Sequence, residues 1–410
     1  MLYVPSEDIV ILGAARTPQG PLDGAVARFK AVELGGIAIG AALKRACVGP
    51  DLVDECIMGN VVSSGLMQAP AKQAAVGAGI PHDRPAKTVN TVCASGMTAI
   101  EDACLSLAAG VARVLVAGGM ESRSNAPYLL GPFIAPATRI PGKVRGTEFH
   151  PKYPRHGSPE DAYRELLTML ESAGIIEANI HDSLSCPFQK GLAMKDYAER
   201  YATAAGISIE EVNAAAGESY RKARAAGECG ALAGEISPAG DVTLDDIISP
   251  EREADLRAMS YGYVTAYNAP ALGDGASALV LTLRKTAEKM GLTPLARIAG
   301  IVRIETSPDG FIHAPVDCVK ALSEATGARA TVVEANESFG LQIPMFEKEF
   351  GADVINPFGG SVAITHPVGA SGSRVVVTLL NAMNRLGHRH GAATICYGSG
   401  GAMAVALERL

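Results

Sequence analysis

The run Thr88-Val89-Asn90-Thr91-Val92-Cys93-Ala94-Ser95-Gly96 places a cysteine where an apolar strand meets the start of a helix. Residues 88–92 read as the strand. Ser95-Gly96 opens a helix over 97–109, because Met97, Ile100, Ala103, Cys104 and Leu107 recur at the spacing of one helical face. Glu101 and Asp102 sit early in it, where the helix dipole favours negative charge, and Gly110 ends it. A buried strand over 111–117 follows, closed by Gly118-Gly119. The same order of features returns near the C-terminus. His366 and Ser371-Gly372 lead into a helix over 373–386 with Val376, Leu379, Leu380 and Met383 on one face. A strand over 392–396 then runs to Gly398 and Gly400-Gly401. A repeat of this length predicts two similar α/β halves rather than a solenoid. Their reactive loops would face each other at a pseudo-two-fold junction, a favoured place for a site.

Outward from these two segments the alternation continues. Residues 9–14 read as a strand, Arg16-Thr17-Pro18 as a turn, and 32–46 as a helix; 54–58 and 61–62 look like strand material. Regular alternation stops at 121–272. Pro, Gly, Arg and Lys are scattered through 127–157, and helical patterns follow over 159–173, 191–205 and 209–226. It resumes at Gly273-Asp274-Gly275-Ala276 with a strand over 278–283, a helix to Gly291 and a strand over 295–302. The expected organisation is an N-terminal half, 1–120, completed by 273–292, an inserted loop-rich unit, 121–272, and a C-terminal half, 293–410.

The chain has 410 residues, of which 48% are hydrophobic and 19% charged, a balance suited to a large buried core and opposite to that of disorder. With 36 basic and 43 acidic residues the net charge is −7, which excludes a general nucleic-acid binder but leaves room for a local basic patch. No apolar run approaches the ~20 residues of a membrane span, and the N-terminus lacks the pattern of a signal peptide. The eight cysteines form no C-x-x-C pair, so we expect free thiols in a reducing cytoplasm.

Four loops carry groups suited to chemistry. A cysteine at a helix N-terminus meets unpaired N–H groups, so the Cys93 thiol is expected to have a lowered pKa; alone, it also reads as a small buried residue in a turn. Gly359-Gly360-Ser361-Val362-Ala363-Ile364-Thr365-His366-Pro367-Val368-Gly369-Ala370-Ser371-Gly372 fixes a histidine between glycines, as a base for that thiol or as a helix cap. Cys396-Tyr397-Gly398-Ser399-Gly400-Gly401 puts a cysteine before backbone N–H groups that could face an oxyanion, or forms a plain turn. It does not fit the dinucleotide pattern G-x-G-x-x-G. Glu334-Ala335-Asn336-Glu337-Ser338-Phe339-Gly340 could orient a water or a histidine, or cap a helix.

Together the four loops resemble the signature set of the thiolase family: N-x-x-C-x-S-G, N-E-A-F-A, G-H-P-x-G-A-S-G and a C-terminal C-x-G, in that order. Arg16-Thr17-Pro18, Gly118-Gly119-Met120-Glu121-Ser122 and Gly273-Asp274-Gly275-Ala276 match the family as well. The resemblance covers roughly 1–127 and 262–410. It implies two α/β halves in a five-layer αβαβα sandwich with an inserted loop domain, and a homodimer or homotetramer. It also implies acyl-CoA C-acyl transfer, as Claisen condensation or thiolysis of a 3-ketoacyl-CoA. Coenzyme A is then substrate and product, and neither a cofactor nor a metal is needed. On the matching positions Cys93 is acylated, His366 takes its proton, and Cys396 acts as acid and base. One oxyanion site uses His366 and a water held by Asn336; the other uses the N–H groups of Cys93 and Gly398.

The chain departs from the family pattern where ligand is contacted. N-E-A-F-A is Asn336-Glu337-Ser338-Phe339-Gly340. A His-Met-Gly segment that shapes the acyl pocket becomes Gln189-Lys190-Gly191. A pantetheine-contacting Ser becomes Pro270. Gln189, Pro270 and Phe339 are therefore the expected substrate-binding positions. Residues 139–156 gather Arg139, Lys143, Arg145, Lys152 and Arg155 against the single acid Glu148. Such a patch suits the phosphates of coenzyme A, or is simply a solvated loop. A specialised condensing enzyme with an unusual β-keto product, and a low-turnover acyl-CoA-binding subunit of the same fold, are the alternatives; a zinc site would lack a short-spacing ligand pair.

Overall fold

Every residue of the strand Ile9–Arg16 is buried, and its two faces enter different cores: Ile9 and Ile11 one, Val10 and Leu12 another. A strand hydrophobic on both faces must be covered on both, which dictates helices above and below the sheet. The computed structural model describes residues 1–130, 175–259 and 262–410. The expected helix over 159–173, and Arg139, Lys143 and Arg145, lie outside the described residues.

Two sets of five strands share one topology. In the first the spatial order is Ile9–Arg16, Gly273–Leu283, Val114–Ser122, Glu55–Gly59, Ala86–Val89. In the second it is Ala296–Glu305, Gly401–Arg409, His390–Tyr397, Val332–Ala335, Val354–Ile355. In both, the first two pairings are antiparallel and the last two parallel. Each half thus runs first, last, fourth, second, third in chain order, and the two are alike, as the repeat predicts. The halves meet edge to edge through Ala296↔Ile11 and Arg297↔Val10.

The helices Ser95–Ala108 and Val368–Leu386 share the central core with the inner faces of both halves. Ala31–Ala46 and Pro70–Gly77 cover the outer face of the first half, and Ala314–Thr326 that of the second. This is the αβαβα layering. The two central helices point their N-termini at the same place, where Cys93 and His366 precede them. Glycine permits that approach. A Cβ on Gly372 would lie 2.7 Å from the Met97 backbone nitrogen, and one on Gly119 would overlap the Gly369 carbonyl oxygen. The Ser277 hydroxyl of the first half meets the Ser373 hydroxyl of the second at 2.6 Å.

Gly119→Ala is therefore expected to be severely destabilising. The clash is with backbone, in a strand paired on both sides, so overpacking should cost about 3 kcal/mol or more. A lowered thermal midpoint, or loss of soluble protein, checks this; an unchanged midpoint refutes it.

Several element bounds differ from the sequence reading. Residues 61–62 are not strand, because their N–H groups turn to the Glu121 carboxylate at 3.0 and 3.2 Å. The strand before Cys93 is Ala86–Val89 and stops there because the Asn90 side chain accepts from Val92 N at 3.0 Å and starts a turn. The next strand begins at Val114 rather than 111, since Val111 is solvent-exposed. The last helix starts at Val368, straight after His366-Pro367.

Candidate active site

The turn that presents Cys93 is built by its own motif. Ser95 Oγ accepts from Thr91 N at 2.9 Å and donates to Val92 O at 2.6 Å. Asn90 closes the other side through Val92 N. These bonds hold Val92 at φ 49°, a left-handed conformation unusual for a β-branched residue. Thr365, just before His366, has φ 80°, and Ser399, just after Gly398, has φ 75°. Backbone strain of this kind persists only where surrounding bonds over-determine it, and each of the three reactive loops carries one such residue, as do five positions elsewhere among the described residues.

The backbone N–H groups of Gly398 and of Cys93 itself lie close enough to the Cys93 sulfur to favour its thiolate. These are the two donors expected of the second oxyanion site. They lower the thiol pKa, as does the charge of Arg123, but burial outweighs them and pushes Cys93 up to about 11. The expectation of a lowered pKa is thus corrected: the resting group is a thiol, and a base must take its proton.

His366 is held in the state that such a base needs. Its backbone N–H donates to Ala271 O at 3.2 Å. Its Nδ1 lies 2.6 Å from Ser371 Oγ, and that hydroxyl spends its one proton on Pro367 O at 3.0 Å. Ser371 therefore accepts from Nδ1–H, which leaves Nε2 with a free lone pair. Nε2 is buried with no hydrogen-bond partner among the described residues. Burial, then the charges of Arg123 and Arg374, hold the imidazole down to about 3, so it is neutral at rest.

Cys396 is the last residue but one of the strand His390–Tyr397 and is 1% exposed. Its sulfur meets Ser338 Oγ at 3.2 Å and accepts from Gln342 Nε2 at 3.3 Å. Burial, then the neighbouring Cys93, push its thiol up to about 12, against the hydrogen bonds from Ser338 and Gln342. Asn336 is oriented from behind: its Oδ1 accepts from Ser361 Oγ at 2.7 Å and Arg374 Nη2 at 3.4 Å, and Arg374 is paired with Glu334 at 2.8 Å. Its Nδ2 faces forward and donates to Ser338 Oγ at 3.0 Å, which leaves one amide proton for a further acceptor.

The structure thus links Cys93 with Gly398, and Cys396 with Asn336 through Ser338. Pro270 precedes Ala271, whose carbonyl holds His366, and so lies beside the histidine; lacking both hydroxyl and N–H, it offers a ligand no donor there. Phe339 is buried, with its N–H on Gln342 Oε1 at 2.7 Å. Gln189 directs its amide to Asp309 at 3.3 Å on the exposed side. The sequence reading gave no site role to Arg123, Glu121, Ser371 or Gln342. Glu121 joins the halves, accepting from Val61 N, Val62 N, Asn60 Nδ2 and Gly369 N at 2.9 to 3.2 Å. Arg123 is held by Asn179 at 2.7 and 3.0 Å. The signal for Ser371 was present: it stands five residues after the histidine, in the first helical turn.

Comparison with known proteins matches nearly the whole chain. The family model described as thiolase, N-terminal domain, matches residues 9–285, and that described as thiolase, C-terminal domain, matches 292–409. An acetyl-CoA acetyltransferase of Chromobacterium violaceum is 36% identical over 98% of this chain and all of that protein. One of Escherichia coli is 36% identical with the same coverage. The crystal structure of Acat5 thiolase from Ascaris suum in complex with coenzyme A superposes with a TM-score of 0.84 at 31% identity, covering 98% of this chain and 100% of that one.

Proposed function

The chain belongs to the thiolase family, and on that premise we propose that Cys93, His366 and Cys396 carry out its acyl-CoA C-acyl transfer, with acetyl as the transferred group. The observation that carries the assignment is the pairing of states: a neutral Cys93 thiol within its oxyanion donors, and a neutral His366 whose tautomer leaves Nε2 bare. In the first half-reaction Nε2 takes the Cys93 proton and the sulfur attacks the acetyl-CoA carbonyl. The C–S bond to coenzyme A breaks, and the Cys396 thiol protonates the departing thiolate. In the second, the Cys396 thiolate removes an α-proton from another acetyl-CoA. The enolate carbon attacks the acetyl carbonyl on Cys93, the new C–C bond forms, and the Cys93 sulfur leaves and recovers its proton from His366. Thiolysis is the same path reversed. A nucleophile, a separate base and two oxyanion sites are what a C–C bond beside a thioester requires; one oxyanion donor alone is worth ~3 kcal/mol.

Coenzyme A enters as substrate and leaves as product, so the cycle consumes no cofactor. The same proposal includes an assembly of at least two copies: Ala86–Val89 is the outermost strand of its half among the described residues, and a second copy at its open edge would extend the sheet. It also includes a cytoplasmic location. Among the described residues no helix is long and apolar enough to cross a membrane. Incubation with acetyl-CoA is expected to add one acetyl mass to the peptide containing Cys93. An adduct confined to Cys396, or none with any acyl-CoA, overturns the assignment.

A further inference from the structure

Cys396 has to change protonation state twice in each turnover, and its surroundings contain a group suited to both states. The position is Ser338, where the family pattern N-E-A-F-A carries Ala. Among the hydrogen bonds of the described residues, its hydroxyl joins the Cys396 sulfur, at 3.2 Å, to the amide of Asn336, at 3.0 Å. Asn336 Nδ2 donates to Ser338 Oγ and cannot reverse, because its Oδ1 already accepts from Ser361 and Arg374. That fixes one lone pair of the hydroxyl and leaves its proton free to turn. When Cys396 is a thiol, S–H donates to Oγ. When it is a thiolate, O–H donates to sulfur. An alanine could do neither. Gln342 adds a donor of fixed direction, because its Oε1 is occupied by Phe339 N at 2.7 Å and its Nε2 must therefore face the sulfur at 3.3 Å.

We infer that Ser338, assisted by Gln342, is a positioning residue that sets the proton-exchange behaviour of Cys396 and links it to the amide of Asn336. The inference rests on the proposed role of Cys396 as proton carrier. It goes beyond that role in making the second half-reaction depend on a hydroxyl at position 338. The site is buried: Ser338 is 8% exposed and Gln342 1%, so water does not readily replace a lost donor. Hydrogen bonds to charged groups are the stronger class, and loss of one here corresponds to about tenfold or more in the thiol–thiolate equilibrium.

The test uses the full-length enzyme with Ser338→Ala, Ser338→Thr and Gln342→Met, and Cys396→Ser as reference. Acetylation of Cys93 is followed by coenzyme A release. Exchange of the acetyl-CoA methyl protons with deuterated solvent is followed by NMR, and thiolysis of acetoacetyl-CoA is measured across pH. Ser338→Ala is expected to slow proton exchange about tenfold near neutral pH and to move the pH limb of thiolysis upward by about one unit. Acetylation and KM should stay near wild type, and Ser338→Thr, which restores a hydroxyl, should recover most of the exchange. Gln342→Met should shift the limb in the same direction, and serves alone if Ser338→Ala does not fold. Wild-type proton exchange in Cys396→Ser would sink the parent reading and this inference with it. If Cys396→Ser abolishes exchange while Ser338→Ala and Gln342→Met keep the wild-type limb, or raise only KM, the inference alone is overturned.

Discussion

His366→Ala should slow acetylation of Cys93 by about 10²–10⁴-fold, the range of a positioned general base. The effect is expected in the first half-reaction because the thiol it serves does not ionise unaided. Burial holds Cys93 up to about 11, so near neutrality almost none is thiolate. The pH dependence follows with a definite sign. A base works when unprotonated, and His366 is held down to about 3 by burial and by the charges of Arg123 and Arg374. Acetylation in the wild type should therefore show no falling limb near the ordinary imidazole value of about 6.5. Stability carries the matching signature. Between the unfolded value and the depressed folded one, the unfolded chain binds the extra proton, so stability rises with pH across that window. The contribution of neutral His366 is complete above about 6.5 and is lost as pH falls toward 3. His366→Ala should flatten that slope. Rapid-quench acetylation and thermal unfolding across pH measure both. An acidic limb near 6.5 in the wild type would show that His366 is not held down, and an unimpaired Ala variant that another group takes the proton.

The sequence made some parts of this site legible because short motifs close short circuits. Asn90, Ser95 and Val92 bond to one another, so the string that contains Cys93 also contains the turn that presents it. Ser371 fixes His366 from five residues away. The likeness of the two halves was legible as a repeat of strand, loop and helix around Cys93 and His366, but the strand order within each half was not. The sign of the Cys93 shift was not. A helix N-terminus lowers a thiol pKa, but enclosure raises it, and the residues packed on Cys93, Val61, Val62, Ala178 and Val368, come from distant parts of the chain. Arg123 was illegible for the same reason. Nothing near it in sequence reveals that its charge acts on both Cys93 and His366. Ser338 stood out as a departure from a motif, yet its consequence needed the sulfur of Cys396 and the amide of Asn336 in the same place.

Cys396→Ser should separate the half-reactions. Coenzyme A can still leave as thiolate, with solvent supplying its proton, so acetylation of Cys93 should persist and the acetyl-enzyme should accumulate. Condensation and thiolysis should fall by about 10²–10⁴-fold, because a serine hydroxyl is too weak an acid to exchange an α-proton near neutral pH. The geometry supports this division. Cys396 bonds to Ser338 and Gln342, on the side of the Asn336 amide, whereas the backbone donors of Cys93 and Gly398 converge on the other sulfur. The neighbouring cysteine is among the causes that push Cys396 up to about 12, so ionisation of one thiol opposes ionisation of the other. Trapped acetyl-enzyme measured by intact mass, beside turnover with acetoacetyl-CoA, checks the scheme. Equal loss of acetylation and condensation in Cys396→Ser would instead make Cys396 indispensable to the first half-reaction as well, against this division.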